Sequence, residues 1–281
     1  MSNITSQTNR YLQVQSAGDI LFNTFSIFIA YYPTLILTFL FPIIPSYVIQ
    51  FSRIVSSPSG NLFNSFNGSL LIIFFFLTCY ARAATIFAIA EIIRDRQPSV
   101  KGSFRNVGVF TPLRLGVATA LMFVISFLTL CIPGIVIGTV LGMQLGINRT
   151  LITTLAYFIA VATLGLAILI GPVIILESNK FIDSVKSIIP QNKIMILRNL
   201  ALLSLFLSPI FIMGIIFNNA PFQMPTWIRL FVMSVQYLVS PLLEIANVLI
   251  YFDGKARAID KLNLASDLKL TNNPSEIHGE E

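Results

Sequence analysis

Long apolar runs separated by short polar segments dominate the pattern of this chain. A membrane-spanning helix needs about 20 predominantly apolar residues. Six segments come close to or exceed that length: residues 33–51, 69–93, 113–143, 150–176, 197–217 and 228–252. The pattern predicts an all-α integral membrane protein, a bundle of about six transmembrane helices. The third and fourth runs are longer than one crossing requires, which indicates tilt, a kink or an interfacial turn.

Lysine and arginine are unevenly distributed among the polar segments. Five lie between the second and third runs, four between the fourth and fifth, four after the sixth and one, Arg10, before the first. The alternate connections carry one each, fourteen against three, and Arg82 lies within a run. By the positive-inside rule, this distribution predicts a multi-pass protein of the cell (plasma) membrane with both termini cytoplasmic. An even number of crossings requires the same result.

The composition agrees with a chain that is surrounded mainly by lipid. Of its 281 residues, 55% are hydrophobic and 11% are charged, whereas ordinary soluble domains carry about 25% charged residues. These charges are too few to wet the surface of a globule, so we expect the lipid bilayer to be the main partner. We interpret the net charge of +6 through its placement, and we expect no nucleic-acid binding.

Three parts are expected along the chain: a polar arm over residues 1–18, a membrane domain over 19–253, and a polar cytoplasmic tail over 254–281 that is disordered at its end. Asp19 is predicted to cap a helix over residues 20–30, which ends at Tyr31-Tyr32-Pro33. This piece is either a separate interfacial helix or the first part of one long kinked crossing. The two basic loops each contain an amphipathic stretch, and we expect interfacial helices there.

The residues required for common enzyme chemistry are scarce. The only histidine, His278, lies in the tail, so no Ser–His, Cys–His or two-histidine metal arrangement can form. The sequence has neither a GxxxxGK[ST] phosphate loop nor an HExxH motif, and Cys79 and Cys131 lie in different apolar runs. We therefore expect a non-enzymatic protein with no catalytic residues, no metal and no cofactor.

Two charged residues interrupt the apolar runs. Arg82 lies 11 residues from the cytoplasmic end of the second run and Glu244 lies 8 residues from that of the last, depths of about 16 and 12 Å at 1.5 Å per residue. An unpaired charge near mid-bilayer costs at least about 2.5–3.5 kcal/mol, so such residues turn inward and find a partner. We predict that Arg82 and Glu244 meet, or share a small wet cavity, between the second and sixth helices.

Polar side chains flank both charged residues at helical spacing. The candidate binding set consists of the two charges and these neighbours: Arg82, Glu244, Thr78, Thr85, Ser240 and Asn247. Three roles for this set are open. It could be an ion pair that only fixes helix register, a site for a substrate or lipid headgroup, or a proton or ion relay.

The basic cytoplasmic loops are a second candidate site. Anionic lipid attracts a Lys or Arg near the membrane surface by about 1 kcal/mol each. The residues concerned are Lys101, Arg105, Lys186 and Lys193. The alternative is that these charges only determine topology.

Several stretches, in their order along the chain, resemble one known family. They are Gly18-Asp19-Ile20-Leu21, Arg96-Gln97-Pro98-Ser99-Val100, Ile132-Pro133-Gly134-Ile135, Asp183-Ser184-Val185-Lys186-Ser187, and Tyr251-Phe252-Asp253 followed by Lys255 and Arg257. Together they are similar to the bacterial membrane proteins related to the membrane domain of some glycerophosphodiester phosphodiesterases. The resemblance implies a fold and a membrane location. It does not imply diesterase activity, because the catalytic part of that family is a separate barrel domain.

We therefore expect a module that handles lipid or another amphiphile, or that scaffolds a complex with other membrane proteins. The alternative is a small transporter or permease with a polar path near Arg82 and Glu244. The sequence leaves the oligomeric state open.

Overall fold

Every regular secondary-structure element described in the computed structural model of this chain is a helix. The structure describes residues 11–45, 48, 68–108, 110–126, 128, 169–177, 197–206, 208, 231 and 240–260. The longer helices in these ranges are α1 (Ala17–Leu40), α2 (Gly68–Ile93), α3 (Val100–Asn106), α4 (Phe110–Ser126), α5 (169–177), α6 (Leu197–Phe206) and α7 (240–260). The all-helical prediction is confirmed for this part of the chain.

The helix α1 begins with a capping box. The Ser16 hydroxyl accepts from the backbone N–H of Asp19 at 3.2 Å, and the Asp19 carboxylate accepts from the backbone N–H of Ser16 at 3.0 Å. Each side chain satisfies a backbone donor that the first helical turn leaves unpaired. The prediction that Asp19 is the N-cap is therefore wrong. Ser16 is the N-cap, and Asp19 is the third residue of the helix, where a negative charge complements the helix dipole.

Beyond its cap, α1 consists of two helical segments that meet at a kink, with no loop between the predicted helix over residues 20–30 and the segment that follows. It bends at Tyr31, whose φ of −119° and ψ of 18° are not helical, and it contains Pro33. Proline lacks the N–H for the helical ladder and its ring crowds the preceding turn, which explains a bend just before it. The chain then turns over residues 41–43, so the long apolar helix lies earlier than the predicted run of residues 33–51.

Two helices in the described ranges are long and apolar enough to cross a membrane, Ala17–Leu40 and Ile72–Ile93. At 1.5 Å per residue they extend about 36 and 33 Å, against a hydrocarbon thickness of about 30 Å. Their length and composition agree with membrane association. The later predicted runs, from residue 113 to residue 252, are described only in part, through α4 to α7.

A tight reversal separates α2 from α3. Asp95 has a φ of 61°, a left-handed conformation that Asp tolerates better than most residues. The Arg96 N–H returns to the Glu91 carbonyl at 2.9 Å and so satisfies one of the last carbonyls of α2. The N-cap of α3 is Ser99, and the helix is seven residues long.

The middle of α2 is enclosed by its neighbours. Past the kink in α1, Phe39 and Ile43 pack on Ala81, and Phe104 of α3 stacks on Tyr80 with ring centroids 5.4 Å apart. From the other side, α4 approaches closely at a glycine. A side-chain carbon added to Gly116 would lie 3.2 Å from Phe75 Cε1 and 3.5 Å from Cys79 Sγ, so the missing side chain permits this approach.

The outward surface of these helices carries many large apolar side chains. Among the most exposed are Ile29, Phe41, Ile72, Phe110 and Leu197. Soluble monomers rarely expose extended apolar patches, whereas surfaces that contact lipid require them. The described helices thus present apolar side chains outward.

Candidate functional site

Arg82 and Glu244 form an ion pair in the interior of the bundle. Arg82 Nε lies 2.5 Å from Glu244 Oε1, and the side chains are 12% and 3% exposed. The contact joins α2 directly to α7, across 162 positions of sequence. The predicted meeting of these two charges is confirmed.

Completely buried apolar residues flank the pair along both helices. Ala81, Ala83 and Ala84 on α2 are completely buried, as are Ile245 and Ala246 on α7. Alanine lets helix backbones approach closely, which brings the two charged side chains within reach of each other. In such surroundings the attraction between opposite charges is weakly screened, but each charge also loses its hydration. Each charge is therefore tolerated because the other is present.

One end of the Arg82 guanidinium has no hydrogen-bond acceptor among the described residues. Within the described part of the chain, Arg82 Nη2 is buried and makes no hydrogen bond. It faces α5, where a side-chain carbon added to Gly171 would lie 3.6 Å away. A buried donor without an acceptor costs about 1–3 kcal/mol, and more when it is charged. Nη2 is thus the donor of this ion pair that the described residues leave unsatisfied.

Of the predicted neighbours on α7, Asn247 contacts the pair. Its Nδ2 donates a long hydrogen bond of 3.5 Å to Glu244 Oε2, and the residue is almost completely buried. Ser240 is the first described residue of α7, one turn before Glu244, and it is partly buried. The polar face of α7 is therefore in contact with the ion pair at Asn247.

The predicted polar stripe of α2 is satisfied within its own helix. Thr78 donates to the Phe74 carbonyl at 2.8 Å and Thr85 donates to the Ala81 carbonyl at 2.9 Å. Helical threonine commonly bonds the carbonyl four residues earlier. The hydroxyl protons of Thr78 and Thr85 are therefore not directed at the ion pair, and the structure does not bring these two residues into the site as donors.

A second group of charges, which the sequence pattern did not predict, lies near the end of α7. Its centre is Asp253, whose side chain is fully buried and pairs with Arg198 of α6. Arg257, one turn later, lies 3.0 Å from the same carboxylate oxygen, and the other oxygen accepts from the Gln15 N–H at 2.7 Å. The i,i+4 spacing of Asp253 and Arg257 can be seen in the sequence. Nothing in the local pattern relates them to Arg198 or Gln15.

The same arginines hold the segment that precedes α1. The Gln15 carbonyl accepts from Arg198 Nη1 at 3.2 Å and from Arg257 Nη2 at 2.7 Å. The Gln15 side chain accepts from Asn23 Nδ2 at 3.0 Å. The start of α1, the start of α6 and the end of α7 are therefore joined at one end of the bundle. We call Gln15, Arg198, Asp253 and Arg257 the Asp253 network.

A third, more exposed pair ties α5 to the same part of α7. Lys255 Nζ lies 2.8 Å from Glu177 Oε1, which also accepts from the Tyr251 hydroxyl at 2.8 Å. Burial alone lowers the pKa of Lys255, but the hydrogen bonds with Glu177 and Tyr251 outweigh it and the pKa is raised. A raised lysine pKa contributes stability that is lost only as the pH rises through that pKa. The pair therefore persists throughout the neutral range.

The predicted headgroup-binding residues are described only in part. Lys101 and Arg105 are exposed on α3, as a contact with lipid requires. Lys186 and Lys193 lie outside the described residues. For all four, contact with a headgroup stays a prediction.

In the ranges that the structure describes, no group of three or more His, Cys, Asp or Glu side chains is arranged to hold a metal ion. Comparisons with protein-family models, with curated proteins and with solved structures find no match for this chain. The resemblance to the phosphodiesterase-associated membrane domain stays a prediction. The site is therefore interpreted from its own geometry.

Removing one member of the Arg82–Glu244 pair should destabilise the protein more than removing both. Arg82→Gln leaves a buried carboxylate and Glu244→Gln leaves a buried guanidinium, so each should lower the free energy of unfolding by about 3–5 kcal/mol. The double variant should be more stable than either single variant. Folded yield and the thermal unfolding midpoint measure this. Glu91→Gln, at the end of α2, is the control and should stay within about 0.5 kcal/mol of wild type; additive losses would contradict the pairing.

Asp253→Asn should be far more damaging than Glu177→Gln, although each removes one negative charge. The first change leaves two arginines around a buried neutral group, with an expected loss of about 3–5 kcal/mol. The second weakens a pair whose lysine side chain is 51% exposed, with an expected loss of about 0–1 kcal/mol. Unfolding at neutral pH compares the two variants directly. Equal losses would show that the burial of Asp253 does not determine its contribution to the free energy of unfolding.

Proposed function

We propose that this chain is a non-enzymatic, multi-pass membrane protein that handles a lipid or another amphiphile at Arg82. The proposal depends on the buried Nη2 of Arg82, which has no acceptor in the described part of the chain. The Nε of the same side chain is paired with Glu244, so the two charges cancel. Glu244 compensates the charge, so an apolar interior can retain the guanidinium. Nη2 then offers a directed donor to a polar headgroup oxygen. An amphiphile combines such an oxygen with apolar chains that suit the surrounding helices.

A six-crossing arrangement with cytoplasmic termini accounts for the distribution of polar and apolar surface. The length of α1 and α2 and the apolar side chains that the described helices expose support placement in a membrane, while the number of crossings and the side of the termini rest on the apolar runs and the basic residues of the sequence. In this arrangement the Asp253 network lies at the cytoplasmic edge, where the neighbouring segments are basic. The proposed location is the plasma membrane, with the lipid bilayer as the principal partner.

Topology can be tested with single cysteines placed in a background without Cys79 and Cys131. Lys101→Cys and Lys186→Cys should both react with a membrane-impermeant maleimide from the cytoplasmic side only. Arg149→Cys, on a predicted outer loop, is the matched control and should react from the opposite side only. Labelling of positions 101 and 186 from opposite sides would overturn the arrangement.

The variant Arg82→Lys distinguishes the role of the Nη2 donor from the role of the charge that pairs with Glu244. Lysine keeps the positive charge for Glu244 but lacks the planar fork of the guanidinium. We therefore expect near-normal folded yield with retained lipid reduced several-fold, as measured by mass spectrometry of lipid extracted from the purified protein. Arg94→Lys, an exposed substitution at the end of α2, is the matched control.

Two outcomes would contradict an amphiphile site at Arg82. One is a wild-type preparation that carries no lipid, and the other is equal lipid retention in Arg82→Lys and wild type. Transport of a polar solute that stops in Arg82→Lys at unchanged abundance would support a transporter instead.

A further inference from the structure

We propose that the Asp253 network is also a binding site for the headgroup of an anionic phospholipid, with Arg198 and Arg257 as ligands of the phosphate. This inference rests on the membrane placement proposed above. The proposed site is separate from the Arg82 site, and its ligand is an anionic lipid.

The charges of the network are unequal. Two guanidinium groups share the one carboxylate of Asp253, which is fully buried, while the side chains of Arg198 and Arg257 are 21% and 29% exposed. The negative charge is therefore inside and the surplus positive charge faces outward. The adjacent Lys255–Glu177 pair is neutral overall. Asp19 and Asp260 are exposed residues outside the network, and salt screens exposed charges more than buried ones.

Both guanidinium groups are held in fixed positions. All three nitrogens of Arg198 already donate hydrogen bonds, whereas Arg257 keeps donors to offer. Arg257 uses Nε for Asp253 and Nη2 for the Gln15 carbonyl, and no hydrogen bond between described residues uses its Nη1. Arg198 is fixed by Asp253, by the Gln15 carbonyl and by the Asn199 side chain. Arginine forks match the oxygens of a phosphate, and a fork that is already fixed loses little freedom on binding.

Exposed apolar side chains lie next to members of the network in the chain. Leu197 directly precedes Arg198 and Val14 directly precedes Gln15, and both apolar side chains are exposed. A positive patch bordered by apolar surface fits a molecule with an anionic head and hydrocarbon chains better than it fits a soluble anion. Basic pockets between helices at the cytoplasmic face are sites where anionic lipid headgroups bind.

The test uses the full chain purified in mild detergent and titrated with phosphatidylglycerol, phosphatidylcholine or inorganic phosphate, with bound lipid counted by native mass spectrometry. Wild type should prefer phosphatidylglycerol. Arg257→Gln should weaken its binding about fivefold, and Arg198→Gln/Arg257→Gln about 25-fold. Arg96→Gln, an exposed change of equal charge outside the network, is the matched control and should bind like wild type.

A second variant separates loss of the site from loss of the fold. Asp253→Asn weakens the network but raises its positive charge, so the molecules that fold should bind phosphatidylglycerol at least as tightly as wild type. Equal binding of the two lipids would overturn the proposal, as would equal losses in Arg257→Gln and Arg96→Gln. If equimolar inorganic phosphate displaced phosphatidylglycerol, the site would bind a free anion and the lipid proposal would be overturned. Selectivity between lipids tests this site, whereas total lipid retained by Arg82→Lys tests the proposed function.

Discussion

The ion pair between Arg82 and Glu244 is the interaction on which the arrangement of the described helices depends. A guanidinium among fully buried alanines has no water to solvate it, so α7 must present a carboxylate to α2 at that level. The contact constrains both the distance between the helices and their rotation. The small residues of α2 permit it, and Gly116 and Gly171 let α4 and α5 approach the same region.

Charges occur at two levels of the bundle and are balanced differently at each. In the interior, one positive and one negative group cancel. At the end of α7, two arginines surround a single buried aspartate and also hold the backbone before α1. In the proposed function, the interior pair binds a neutral or zwitterionic polar group at Arg82 Nη2. In the proposed membrane placement, the outer network, with its surplus positive charge, binds an anion.

Local patterns were ambiguous where two partners could satisfy the same polar group. Asp19 has the chemistry of an N-cap, but Ser16 lies three residues earlier and the two side chains satisfy each other's backbone donors. Thr78 and Thr85 share a face with Arg82, yet each hydroxyl finds a carbonyl in its own helix. The spacing of such residues identifies a polar face but does not decide what that face binds.

The sequence by itself determined the helical class, the apolar character of the helices and the need of Arg82 and Glu244 for a partner of opposite charge. These follow from local composition and from the cost of a lone charge in an apolar run, which hold for any packing. Only the tertiary structure decided that Asp253 meets Arg198 and Gln15, and that Gly171 lies opposite Arg82 Nη2. Those contacts depend on how each helix is rotated and how closely it approaches its neighbours, and the pattern along a single helix does not contain that information.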